Sequence, residues 1–544
     1  MTAARFVLRG LWFFRGSYLG VLGGSALAAM VLLGALLAGD SVKDALRRTA
    51  LARLGRVDAV MEGGGRWFRA ALADELAADG MTAAPVLRLQ AELTAADGGH
   101  TLGSVQVLGV DERFFKLAPP SPAGDAADPL PGPPSSRGFY INETLARRLD
   151  LKPGEPLVLR FAKPGVGTAE VPMAGATPAL TVLGGEVEAV LGERGFGRFS
   201  LENSQLPQAT VMVPLTRLQA AVKQPGKVNL LLLHSPHGAN PEVLLDEVRG
   251  HCTLDDYGLT VAELPLAKAV EVRTSRVFFE RPLAAAIQRA LPRARPVITY
   301  LVNGISAKGK SIPYSMATAV DPITAPFLPA DFSGVTLNSW AAEDLGAVPG
   351  DEVRLDYYAL DDAGRLAERS GSFPLTAVVP LAGLAADPRW MPEFPGVAAA
   401  EKTSDWDAGV PIDMKRIRDR DEAYWDEHRG TPKVFLPLAV GRTLFGNRWG
   451  EYTALRVPAA TVSSEDASTV LLESITPAEA GLMLRDVRRE GLAAAASPVD
   501  FAGLLLGMSL FLMAAAVALA AMLFRFHIEQ RNRESGLLAA VGVP

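Results

Sequence analysis

One cysteine, Cys252, stands alone in 544 residues, so no intrachain disulfide can form and no cluster of thiolates can hold zinc. The body of the chain must be held by ordinary cores, which its length permits. A basic excess is also missing: 54 Lys and Arg face 60 Asp and Glu, a net charge of −6, which argues against binding nucleic acid through its phosphates. The six histidines are scattered, and no HExxH, GxSxG or paired metal-ligand spacing occurs. These absences point to a non-catalytic chain with no cofactor and no resident metal. One chemical pattern is present letter for letter, the phosphate-binding GxxxxGK[ST] at residues 304–311, preceded by the strand-like VITYLVN. Such a loop must open a helix whose N-terminus meets the phosphates. Here Pro313, Pro322 and Pro326 and an alternating pattern follow instead, so the segment reads as a basic hairpin loop.

What the chain does have is two long uncharged runs, Ser17 to Gly39 and Phe501 to Phe524, in a sequence that is 49% hydrophobic. A helix needs about 20 apolar residues to cross a bilayer, so each run is expected to span. The first is longer than a signal-peptide core of about 7–15 residues and reads as an uncleaved anchor. Arg5, Arg9 and Arg15 precede it, and Arg525, Arg531 and Arg533 follow the second run. Basic flanks favour the cytoplasm, so both termini are expected there, with residues 40–500 outside a bacterial inner membrane. Small residues recur at four-residue spacing, Gly16, Gly20, Gly24 and Ala28 in one run and Gly503 and Gly507 in the other, as in closely packed membrane helices. After Gly39, Val42, Leu46, Ala50 and Leu54 form an apolar stripe among Lys43, Arg47, Arg48 and Arg53, an amphipathic stalk that the residues before the second run mirror.

Between the runs the sequence repeats itself. Arg66-Trp67-Phe68 resembles Arg276-Val277-Phe278, Pro85-Val86-Leu87 resembles Pro296-Val297-Ile298, and Val110-Asp111 resembles Val320-Asp321. The clearest pair is residues 140–159 against 336–355, which aligns Asn142 with Asn338 and Pro153-Gly154 with Pro349-Gly350. Leu180-Thr181 then matches Leu375-Thr376, VMVPL (211–215) matches VFLPL (434–438), and Gly258-Leu259 matches Gly481-Leu482. The order holds throughout, as in a duplicated unit with loop insertions. Within a unit, Glu143 to Leu149 reads as a short helix, Pro153-Gly154 and Pro349-Gly350 as turns, and PLVLRF, TVLGGEVEAVL and TVMVPL as strands. The Pro- and Gly-rich residues 119–136 read as a loop or a disordered insertion.

The expected fold class is therefore α+β: two transmembrane helices flanking a large extracytoplasmic mixed α/β body built from two duplicated units with helical stalks. The expected boundaries are a cytoplasmic N-terminus (1–16), a first span (17–39), a stalk helix (40–65), unit one (66–263), unit two (264–486), a second stalk (487–500), a second span (501–524) and a cytoplasmic coupling helix (525–544).

The last twenty residues, RFHIEQRNRESGLLAAVGVP, resemble the cytoplasmic motif of FtsX/MacB-type ABC transporter permeases, R-x-R-E-I-G-L-x-x-A-x-G after the second span. Arg531, Arg533, Glu534, Gly536, Leu537, Ala540 and Gly542 occupy the matching positions, with Ser535 in place of the isoleucine. The helix, Pro-Gly turn and strand of residues 143–161, VPLTRLQ and GDSVKDAL are similar to that family's periplasmic domain and stalk. The resemblance implies a permease subunit that passes ATPase-driven motion across the inner membrane to its external domain, for export, lipoprotein or lipid extraction, or mechanotransmission. It implies a cytoplasmic ABC ATPase subunit as partner, with ATP hydrolysed in that separate chain. It also implies a second permease copy or paralogue, contact with membrane lipid, and a periplasmic protein or lipoprotein partner. ATPase coupling would fall to Arg531, Arg533, Glu534, Gly536, Leu537 and Gly542. The family has four spans and this chain stops at Pro544, where the third should start, so a chain cut short after its second span is expected. The competing expectation is a two-span membrane sensor with an extracytoplasmic ligand- or partner-binding domain.

Overall fold

In a computed structural model, the residues described are 3–95, 101–119, 132–162, 180–192, 195–202, 207–235, 241–360, 366–394, 396–406, 410–496 and 501–542. Most of the Pro- and Gly-rich loop at 119–136 lies outside them. The chain divides into a helical unit (residues 1–55, 200–205 and 487–544) and a β-rich unit (56–199 and 206–486).

The β-rich unit is two nine-stranded sheets of the same plan. In the first, the order is Met483–Arg485, Ala59–Glu62, Leu230–His234, Thr82–Ala95, Thr101–Val110, Thr210–Pro214, Gly138–Asn142, Leu180–Leu191, Pro156–Ala162. In the second it is Leu259–Leu264, Ala269–Thr274, Ala454–Pro458, Arg295–Ala307, Lys310–Val320, Val434–Pro437, Val335–Asn338, Leu366–Val379, Glu352–Leu360. In each sheet the long strand in fourth place also pairs, at its far end, with the last strand: Glu92 opposite Arg160, and Ile305 opposite Leu355. Six strands of each sheet thus close into a ring, which removes two exposed edges and surrounds a core. In the second sheet that core holds Ile298, Val302, Ile312, Val353 and Leu355, each wholly or almost wholly buried.

The duplication is present down to local geometry. Asn142 ends a strand and caps the helix Glu143–Leu149, accepting from the Leu145 N–H at 3.0 Å; Asn338 does the same for Ser339–Leu345 at 2.8 Å from Ala341. Such a cap satisfies an N–H the helix cannot pair internally. Gly154 and Gly350 take φ of 93° and 101°, and their N–H groups bond Val187 and Leu375 at 2.7 and 2.8 Å. That bonding corrects one expected match. The counterpart of Leu375 is Val187, not Leu180: Val187 pairs with Phe139 and Leu375 with Val335, and both ladders carry a bulge one residue further on. The Leu-Thr dipeptides are a coincidence of composition, and register is set by the ladder.

The unit boundary also differs from the expected one at 263/264. Residues 259–264, which follow the first repeat, form the edge strand of the second sheet, and residues 483–485, which follow the second repeat, form the edge strand of the first. The repeats have exchanged their last strands. The helix Pro241–His251 stays beside the first sheet and Ser464–Ser474 beside the second, so each crossing occurs just after its helix. Both crossings use the same turn. Thr253 N–H bonds Asp256 and Thr476 N–H bonds Glu479, and two residues on, Gly258 (φ 66°) and Gly481 (φ 77°) redirect the chain through a conformation that costs an L residue with a Cβ about 1–2 kcal/mol. Asp256 is fully buried and held by Arg69, whose Nε and Nη2 donate to it at 2.9 and 2.8 Å. One core joins the two sheets, with Leu231 and Leu233 in the same cluster as Val270, Val272, Leu455 and Leu471.

In the helical unit, Arg15–Leu54 and Phe501–Ala540 are continuous helices of 40 residues each, and Val487–Ala496 packs on the first. The stalk helix stops at Leu54 rather than near 65, because Gly55 (φ 59°) ends it and Ala59–Glu62 is already a buried strand. The second stalk begins at Val487, since Met483–Arg485 is drawn into the first sheet; its end, 497–500, lies outside the described residues. Among the described residues one helix stretch, Leu510–Leu537, is long and apolar enough to cross a membrane. The expected first span, 17–39, lies inside the N-terminal helix and does not meet that criterion among the described residues.

Candidate functional site

The two 40-residue helices pack antiparallel. A Cβ on Gly20 would lie 3.7 Å from Leu523, and one on Gly24 would lie 3.9 Å from Ala520, so the absent side chains let the backbones approach. Gly16 and Gly507 meet nothing within 4 Å, which limits the small-residue seam to the middle of the expected rows. Gly503 and Ala28 lie where side chains are not described. At one end of the pair the N-terminal segment around Phe14 and Tyr18 and the C-terminal motif come together. Arg531 donates to the Tyr18 hydroxyl at 3.3 Å, sits 5.3 Å over the Phe14 ring, and pairs with Glu534 at 3.3 Å.

The motif residues therefore do not share one environment. Arg531 and Glu534 are half-buried against the N-terminal helix, whereas Arg533, Gly536 and Leu537 are exposed, Leu537 by 71%. Positions 533, 536, 537 and 540 are three and four apart, so they share one helix face. Gly542 follows the helix end with φ 77°. Residues 525–540 are the last turns of the long helix rather than a separate coupling helix. Nothing from Phe524 to Glu534 breaks it: there is no proline or glycine, and the residues are mostly good helix formers.

His527, between the apolar run and the motif, is 4% exposed. Its ring lies 5.4 Å edge-on from Phe14 and 4.3 Å from Tyr18, with neither ring nitrogen hydrogen-bonded among the described residues. Phe14 and Tyr18, four apart on one face, were the sequence signal for this contact.

The phosphate-loop pattern is a β-hairpin tip, as expected. Ala307 pairs with Lys310, and Lys308 and Gly309 (φ 50° and 78°) make the two-residue turn. Lys308 reaches Asp351 at 2.7 Å, beside the Pro349-Gly350 turn, and its hydrogen bond, with that of the Val348 N–H, holds the Asp351 carboxyl below its ordinary range. Pro153-Gly154 and Pro349-Gly350 are turns, as expected, and touch no candidate ligand site. No group of three or more potential metal ligands occurs among the described residues.

No protein-family pattern matches the chain, and no curated protein does. Solved structures similar to part of it include three domains. The periplasmic region of MacB from Actinobacillus actinomycetemcomitans shares 10% identity, covering 37% of this chain and 84% of that one, at a TM-score of 0.24. A domain of a protein described as a permease from Porphyromonas gingivalis shares 16%, covering 36% and 81%, at 0.21. The extracellular domain of the noncanonic ABC-type transporter YknZ from Gram-positive bacteria shares 12%, covering 34% and 81%, at 0.20. At TM-scores of this size they carry no argument about function.

Proposed function

We propose that this chain is the membrane component of an ABC transporter of the permease type, spanning the bilayer with both long helices and holding its β-rich unit outside the cytoplasm. The observation that carries this reading is the exposed face of Arg533, Gly536 and Leu537 at the end of an apolar 40-residue helix, in a motif that resembles the FtsX/MacB coupling segment. An exposed leucine beside an arginine suits a partner that buries the first and pairs the second with a carboxylate. The basic residues Arg5, Arg9, Arg15, Arg525, Arg531 and Arg533 all flank the apolar stretches on the side where the helix ends meet, which supports a cytoplasmic location for that end under the positive-inside rule. Motion of an ATPase bound there would travel along a helix with no break between the motif and Phe501. The external partner would be a periplasmic protein, lipoprotein or lipid, and a second permease copy would complete the membrane part.

The test is photocrosslinking in the native host. A benzophenone amino acid in place of Leu537 should capture an ATPase subunit, identified by mass spectrometry, and Arg533→Glu should abolish the product. The same probe at exposed Leu19 should not capture it. Capture of a kinase or other signalling module at position 537 would overturn the transporter reading in favour of the sensor.

A further inference from the structure

Before Asp40 the chain carries three arginines, Arg5, Arg9 and Arg15, and no lysine or carboxylate. The first two lie on a short helix, Ala3–Phe13, that precedes the long helix starting at Arg15. The two helices are not one rod. Phe14 between them has φ −92° and ψ 20°. Its N–H still bonds the Gly10 carbonyl at 3.0 Å, but the Ser17 N–H reaches back only three residues, to Phe14. A single tightened turn of this kind redirects a helix.

The short helix is covered on one side. A Cβ on Gly10 would lie 3.8 Å from the Arg531 guanidinium, which also sits over the Phe14 ring. Away from that contact Leu8, Leu11, Trp12 and Phe13 are exposed, Trp12 by 74% and Phe13 by 82%. Leu8, Leu11 and Trp12 are three and four apart and share a face; Arg5 and Arg9, four apart, border it. The Arg15 guanidinium lies 4.9 Å from the centre of the Trp12 ring. On the other long helix, Arg525 and Arg531 each pair with a carboxylate one turn on, Glu529 and Glu534. Arg5, Arg9 and Arg15 have no carboxylate partner among the described residues.

Water would take the arginines but leave the large apolar side chains wet. Hydrocarbon would take the apolar side chains but not the guanidinium groups. The boundary between headgroups and acyl chains takes both, and it is where amphipathic basic helices and tryptophans settle. Charge then selects the lipid, because three uncompensated cations favour an anionic surface over a zwitterionic one. The chain itself leads to that depth, since the uncharged run 17–39 starts one turn after Phe13.

We propose that Ala3–Phe13 lies along the membrane surface and binds anionic phospholipid, with Leu8, Leu11 and Trp12 among the upper acyl chains and Arg5, Arg9 and Arg15 on headgroup phosphates. This rests on the reading that residues 17–39 span the bilayer. Because Arg531 packs against Gly10 and Phe14, a helix fixed at the surface also fixes the depth of the C-terminal motif.

The experiment uses the full chain carrying Cys252→Ala, in nanodiscs of equal parts phosphatidylglycerol and phosphatidylcholine. A bimane on Leu11→Cys reports which lipid lies beside it, with bromine on the upper acyl chains of one lipid at a time. Phosphatidylglycerol should quench severalfold more than phosphatidylcholine, since each arginine near an anionic surface is worth about fivefold in local affinity. The excess should vanish in the pair Arg5→Gln with Arg9→Gln, persist in Arg5→Lys with Arg9→Lys, and shrink at high salt. Equal quenching by the two lipids, or an excess that survives the glutamine pair, would overturn the proposal. A bimane that neither lipid quenches would also overturn it, and would assign the face to a soluble partner. A second bimane, on Leu22→Cys inside the uncharged run, separates this failure from that of the spanning reading. Both lipids should quench it whatever happens at position 11; if neither does, the spanning reading falls and this proposal with it.

Discussion

The two sheets share a plan but treat the same spot in opposite ways. In the first, Val60 lies across the ladder from Leu232, which lies across from Ala84. The matching triplet in the second is Glu271, Arg456 and Arg295. An apolar pair has become an ion pair, with Glu271 and Arg456 each 2% exposed and 2.6 Å apart. The reason lies in residues 380–433, an insert much longer than the matching residues 192–209 of the first repeat, which folds over the strand Lys310–Val320 and lines an aromatic pocket with Tyr314, Tyr424 and Trp425. Arg456 stacks on Trp390, its guanidinium carbon 3.7 Å from the ring centre, and its Nη2 donates to the Arg389 carbonyl at 3.4 Å. Arg273, also paired with Glu271, donates to the carbonyls of Arg389 and Met391. A buried pair of this kind seldom adds net stability over an apolar one, but it can fix a unique arrangement. Here it anchors the segment that builds the aromatic pocket. At the same place in the first repeat, the Glu202 carbonyl accepts from Arg53 of the N-terminal helix. One duplicated scaffold thus carries two different attachments at one position.

The largest expected effect comes from breaking the ion pair on one side. Arg456→Ala strands Glu271 as a buried, poorly compensated charge and should cost about 3–5 kcal/mol in urea unfolding. The double change Glu271→Val with Arg456→Leu copies the first sheet. It should recover most of that loss while leaving the insert near Trp390 open to limited proteolysis. A loss below about 1 kcal/mol for the single variant would remove the anchoring role.

Next comes Lys433, whose counterpart in the first repeat, by the match of 434–438 to 211–215, is the uncharged Thr210. Its folded value, about 8, lies below the ordinary 10.5, so the unfolded chain binds the extra proton between those pH values. Stability must then rise with pH across that window, and the cost of the buried charge is fully present below pH 8. The gain is at most about 3 kcal/mol. It should appear as a pH-dependent difference in unfolding free energy between wild type and Lys433→Met; a flat difference from pH 8 to 10 would contradict it.

The strand exchange is tested by its two glycines. Gly258→Ala and Gly481→Ala should each lose about 1–2 kcal/mol through positive φ. Gly481→Ala should lose more, because its Cβ would press on the Arg66 guanidinium, which bonds the Gly481 carbonyl and Glu280. Equal losses would mean that the Arg66 contact simply yields.

The smallest effect separates the two caps. Asn142→Ala and Asn338→Ala should each cost about 0.5–2 kcal/mol in thermal or urea unfolding. Asn338 should sit at the upper end, since its amide also donates to the Tyr424 hydroxyl at 2.9 Å and the Pro432 carbonyl at 3.0 Å. Among the described residues the Asn142 amide donates only to the Gln208 carbonyl, at 2.7 Å.

Much of this protein was legible from neighbouring residues. The helix at 143–149, the Pro-Gly turns and the hairpin in place of a phosphate loop all depend on interactions across a few positions, which the local sequence contains. The match of Leu180 to Leu375 failed because two residues carry too little pattern to fix a register that the sheet decides.

What only the tertiary structure decided lies further apart along the chain. The pairing of Ala59–Glu62 with Met483–Arg485 joins segments from opposite ends of the β-rich unit, and no periodicity in three residues announces which sheet edge they will cover. The burial of His527 and the division of the C-terminal motif into an inward Arg531 and an outward Arg533 and Leu537 depended on where the N-terminal helix lay. The pocket beside Tyr314, Tyr424 and Trp425 formed only when residues 380–433 closed over a strand roughly ninety residues before them. Local sequence sets backbone preference through short-range sterics and hydrogen bonds; long-range packing sets partners, because burial depends on which apolar surface remains uncovered once the nearer elements have formed.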